Sequence, residues 1–153
     1  MWGKVLGCLF SMSNPHENYV KREFLVLLAR SQFELDKRAG AEPDQGKIVF
    51  VMEDDYLRYA IQGRLKDKGM FADTSFNKEI VKILPDSLLA VIREFYGEEM
   101  GDQFQEGFAE LTSGSKEKTA NKFGEVMVKF VLETAKSFLS AAMVAVLKAR
   151  LGI

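Results

Sequence analysis

The last third of the chain, Thr119 to Leu151, constrains the fold most. Its spacing predicts one long helix that starts amphipathic and ends apolar almost all round. Lys122, Glu125, Lys129, Glu133, Lys136 and Ser140 fall within about 80° of one another on a helical wheel. They make a solvated stripe. Beyond Ser140 that stripe is taken over by Met143, Val144 and Leu147. Apolar side chains in a solvent-facing stripe need a cover. Either the other helices of the domain wrap this one as a central core helix, or one of three covers is open: the N-terminal apolar segment with Trp2 and Phe10, a second copy of the chain, or a different protein.

The remaining chain must supply a core around that helix. Its 153 residues suffice for one domain, 1–153, with a real core. A hydrophobic share of 47% and a charged share of 28% argue against disorder. Only three prolines interrupt it, which favours helices. A net charge of −1 leaves no basic excess to neutralise phosphates, so general nucleic-acid binding is not expected. Cys8 stands alone, which excludes an internal disulfide and fits a reducing, cytoplasmic setting. Leu6, Leu9 and Phe10 around it suit a structural thiol more than a reactive one. The apolar patch Val5 to Phe10 is too short for a signal sequence and lacks a cleavage site, so 1–12 reads as part of the mature protein. No run approaches the ~20 apolar residues of a membrane span.

Asn14-Pro15 with Glu17 forms a capping box, and Val20, Phe24, Leu27, Leu28, Ser31 and Leu35 repeat at helical spacing. A helix from Pro15 to Ala39 is expected, ended by Gly40 and Pro43. Lys47 to Met52 is the one strand-like run, continuous and β-branched. A lone strand has no pairing partner, so a single helix from Gly46 through Leu57, Ile61 and Leu65 to Gly69 is preferred. Asp73 or Thr74 caps a short helix through Leu84. Pro85 opens another, which Gly97 ends, and Met100, Phe104, Phe108 and Leu111 carry a third. Residues 112–118 read as a linker. The expected fold is an all-α, single-domain bundle of about six or seven helices with a long apolar C-terminal helix.

The chemistry-bearing residues are sparse. His16 is the only histidine and sits at a helix start, where a surface position is the plain reading. One histidine and one cysteine cannot build a zinc site, and the paired Glu-x-x-His motifs of a di-metal bundle are absent. Glu98, Glu99, Asp102 and Glu106 cluster without the spacing of a calcium loop, as on a solvated helix face. Neither a phosphate-binding glycine loop nor a Gly-x-Ser-x-Gly elbow occurs. No catalytic, cofactor-binding or metal-binding residue is assigned, and no cofactor is expected.

Lys47 to Arg58, continuing to Leu65 and Gly69, resembles the first strand and helix of a response-regulator receiver domain. The resemblance implies a parallel sheet, with Asp54 and Asp55 as the acidic pair that holds magnesium beside a phosphorylated aspartate. It ends there: Leu88 to Ile92 matches a third strand only in character, and no aspartate follows it. The expectation is therefore a non-enzymatic protein–protein interaction module, an adaptor or small regulatory protein. Its partner-binding residues are Met143, Val144, Leu147, Trp2 and Phe10, and its partner is another protein or a second copy. Membrane-surface association is the alternative, and a degenerate receiver-like signalling domain the next.

Overall fold

A computed structural model describes residues 15–34, 46–67, 72–73, 80–112 and 116–153. Trp2, Phe10, Cys8 and the Asn14 cap lie outside them. The described chain is mostly helical. Its elements, in order, are α1 (Pro15–Arg30), β1 (Gln32–Glu34), β2 (Lys47–Val51), α2 (Asp55–Asp67), β3 (Ala72–Asp73) and β4 (Ile80–Ile83). Then come α3 (Pro85–Tyr96), α4 (Glu98–Thr112), α5 (Lys116–Phe138) and α6 (Ala141–Leu151). The helical class and the expected number of helices hold. A small sheet accompanies them.

The sheet corrects three readings. Lys47–Val51 is a strand, not the start of a helix. Ile80–Ile83 is a strand rather than part of a short helix. The first helix ends at Arg30 instead of Ala39. One cause links them. β2 lies between β1 and β4, both antiparallel to it, with Gln32 opposite Val49 and Phe50 opposite Val81. The objection to a lone strand fails because each missing partner had been read as helix. β3 closes the order β1-β2-β4-β3. Period-two burial then follows: Phe33, Ile48, Phe50, Val81 and Ile83 face inward. On the other face Lys82 reaches across β2 to Glu34 at 3.1 Å. This antiparallel sheet is not the parallel sheet of a receiver, and Leu88 to Ile92 lies within α3.

Chain reversal after α1 has a local cause. The Ser31 hydroxyl donates to the Leu28 carbonyl at 2.6 Å, which competes with continued helix. Gly46 opens β2 under the Phe33 ring; a Cβ there would meet the ring at 2.0 Å. That ring stacks on Phe123, centroids 5.7 Å apart, and joins β1 to α5. A second aromatic group ties α1, β2 and α3: Phe24 lies 5.7 Å from Phe50 and 5.6 Å from Phe95. Between them these rings anchor one continuous buried cluster.

The C-terminal third is two helices, not one. α5 ends at Phe138, and Ser140 sits in extended backbone (φ −67°, ψ 163°). Its hydroxyl accepts from the Met143 N–H at 3.3 Å and caps α6. Ser140 thus ends the solvated stripe by starting a new helix. The stripe itself is real along α5: Lys122, Glu125, Lys129, Glu133 and Lys136 are all exposed. α6 closes on a Schellman motif. Gly152 at φ 75° donates to Ala149, and Ile153 to Lys148.

Candidate functional site

The break at Ser140 redirects α6 across α1. Leu147 is 3% exposed and is covered from within the chain, while Val144 and Leu151 are half-buried beside it. Polar contacts fix the pose. Arg150 donates through both Nη atoms to the Glu23 carboxylate, at 2.6 and 2.7 Å. Arg30 donates to the Arg150 carbonyl at 2.8 Å. The fork-to-carboxylate geometry sets the angle of α6 as well as adding energy. The Glu23 carboxylate holds the Arg150 guanidinium above its ordinary pKa.

Between α1 and α6 lies an open groove of about 250 Å³, lined by Arg22, Glu23, Met143, Val146, Leu147 and Arg150. Met143, Val146 and Leu147 share that lining with the charged Arg22, Glu23 and Arg150. The outward face of α6 continues that surface: Ala141, Ala142, Ala145, Val146, Ala149 and Ile153 are all exposed. No polar side chain interrupts this face over three turns. Val146 is half exposed and Ile153 more so. Of the residues singled out from sequence, Met143 lines the groove, Leu147 forms its floor, and Val144 packs inward. Val146, legible from sequence as apolar area needing cover but not assigned to the binding set, lines it too, and Arg22 and Glu23 were missed. The pairing of Glu23 with Arg150 crosses 127 residues, and no local pattern encodes it.

The acidic pair at the end of β2 has a structural task. Asp54 caps α2: its Oδ1 accepts from the Tyr56 and Leu57 N–H groups at 2.9 and 3.3 Å. Its other oxygen accepts from the Tyr19 hydroxyl on α1. These bonds hold the Asp54 carboxyl below its usual range, the Tyr19 bond being the largest cause. The same bond, with burial and the Asp54 charge, pushes Tyr19 up to about 12. Asp55 pairs with the buried Arg58, which also donates to the Met52 carbonyl at 3.2 Å. His16 is exposed, its ring 5.8 Å from Tyr56. Both carboxylates of the pair are thus engaged by side chains of the protein itself.

The acidic segment at the start of α4 also has a partner. Arg93 donates to Glu98 at 2.7 Å, Asp102 at 2.9 Å and Gln105 at 3.1 Å, tying α3 to α4 across the Gly97 turn. Among the described residues no group of three or more His, Cys, Asp or Glu could hold a metal. Nor, among them, is any helix long and apolar enough to cross a membrane. No family profile, curated protein or solved structure matches the chain.

Proposed function

We propose that this protein is a non-enzymatic protein–protein interaction module, an adaptor or small regulatory protein of the cytoplasm. Its docking surface is the groove between α1 and α6 with the adjoining face of α6. One observation carries the reading: α6 presents an uncharged, solvent-exposed face over three turns beside a groove of mixed apolar and charged lining. Apolar surface left open on a fixed scaffold gains free energy when a partner covers it, at ~25 cal/mol per Å² buried. Met143 in the groove adds an adaptable contact. The two acidic clusters singled out from sequence are engaged in part by the protein itself, Asp54 and Asp55 in a cap and an ion pair and Glu98 and Asp102 on Arg93, which supports binding over catalysis. The lone cysteine supports the cytoplasmic setting.

The test is site-specific photocrosslinking in the source cell. A benzophenone side chain at Val146 is expected to trap one protein as a discrete adduct. The same group at exposed Glu106 on α4 is the control and is expected to trap none. Ala145→Glu places a charge in the exposed face without touching the core and is expected to abolish the adduct. Equal labelling at both positions, or none at Val146, ends this reading.

A further inference from the structure

The exposed face of α6 and the segment that precedes α1 complement each other. Ala141, Ala142, Ala145, Val146 and Ala149 are exposed and lie within about 140° of one another on the α6 wheel. Lys148 and Arg150 border that face on its two sides, and no charge falls within it. Four of its five side chains are alanine, so its relief is low. Such a surface packs best against large side chains, because large and small residues interdigitate across a contact.

The chain before Pro15 carries large apolar residues in the matching pattern. Trp2, Val5, Leu6, Leu9 and Phe10 stand three, one, three and one residues apart, the spacing of a single helical stripe. Lys4 is the only charged side chain before Pro15. Residues 2–10 also match the eleven-residue α6 in length to within about two residues, or ~3 Å of helix.

Reach permits the contact. Arg22 and Glu23 line the groove beside the α6 face, seven and eight residues along α1 from Pro15. That separation is about 11 Å along the helix axis. Residues 11–14 span up to ~13 Å when extended, enough to carry 2–10 back beside α1 to α6. Among the described residues, the other exposed large apolar side chains near Pro15 are Tyr56, beside His16, and Tyr59. Glu53, Asp54, Asp55 and Arg58 interleave with them, so an apolar stripe there would desolvate charge. A second copy fits α6 poorly, because α6 has no acidic residue and a symmetric contact would bring its cations together.

We propose that residues 2–10 lie along α6 in the free protein, with their apolar stripe on Ala145, Val146 and Ala149. The chain then closes its own docking face, and a partner must displace this segment. Its apparent affinity is lowered by the fraction of molecules that stand open. The cover is independent of the protein-binding reading above; its regulatory role rests on that reading.

Trp2 is the only tryptophan, so its fluorescence reports on this segment alone. In the full chain its emission is expected to be blue-shifted and shielded from acrylamide. Ala145→Glu is expected to shift it to the red and remove the shielding, while helical circular dichroism stays unchanged. Tyr59→Glu is the control and is expected to change neither. Four results overturn the cover: a Trp2 already open to acrylamide in the wild type, no response to Ala145→Glu, a response to Tyr59→Glu, or shielding that fades on dilution. The last would assign the contact to a second copy. Leu6→Asp combined with Leu9→Asp is expected to raise the yield of the Val146 adduct, and an unchanged yield ends the regulatory role. The benzophenone at Val146 also separates the two readings. An adduct with another protein beside an indifferent Trp2 removes the cover and leaves protein binding standing. A crosslink mapped only to residues 1–14 does the reverse.

Discussion

α5 and α6 come from one apolar-periodic stretch of sequence, yet the molecule holds them in opposite ways. α5 buries Phe123, Met127, Phe130, Val131, Thr134 and Ala135 along its length, whereas α6 buries Leu147 alone. α5 is a wall of the core. α6 is an appendage pinned by one leucine, two half-buried neighbours and a surface ion pair. Periodicity therefore locates an apolar face but does not say how much of it is covered. That depends on where the chain turns, and here a single serine cap decides it.

The largest expected effect tests the wall. Phe130 meets Phe104 edge to face at 5.6 Å and is nearly buried, so Phe130→Ala should cost ~3–5 kcal/mol. Denaturant unfolding should show the loss in one cooperative transition. An intermediate effect tests the appendage. Leu147→Ala should cost about 2 kcal/mol, with the damage confined to α6. Native-state hydrogen exchange should quicken in Ala141–Leu151 and leave Lys116–Phe138 unchanged. Equal quickening in both would make them one cooperative unit and break the comparison.

The smallest effect lies one turn before Glu23 on α1, where Tyr19 meets the Asp54 cap of α2. Asn caps a helix about as well as Asp, so Asp54→Asn should move stability near neutral pH by less than ~1 kcal/mol. Its signature is in pH dependence. The Asp54 carboxyl is depressed in the folded protein, so its contribution is complete above the unfolded value near 3.8 and fades as pH falls through the folded one. Tyr19 is raised, so its contribution is complete below 10 and is lost as pH rises through about 12. The variant should flatten both limbs. Ultraviolet titration should show Tyr19 ionising nearer 10; an unmoved titration would mean that burial alone sets it.

Three local signals in the sequence held. Pro15 opens α1, Pro85 opens α3 and Gly97 separates α3 from α4, each because proline or glycine dictates backbone geometry regardless of context. The strands escaped for the opposite reason. β1 has three residues and β4 four, too few to display a period, and their identity depends on β2 lying between them. Met143 and Leu147 were legible as apolar residues needing cover. That α1 supplies the cover for Leu147, and that Val146 stays open, follows from the Glu23–Arg150 pair and the turn at Ser140, neither of which leaves a local trace. Ser140 was visible but carried two meanings, stripe member or cap, and wheel geometry cannot choose between them.

The same ion pair imposes a schedule. Glu23 is made 127 residues before Arg150. At ribosomal speeds of ~5–20 residues per second, α1 waits roughly 6 to 25 s for its last companion. During synthesis the part of α1 that Leu147 will cover stays bare until α6 has been made.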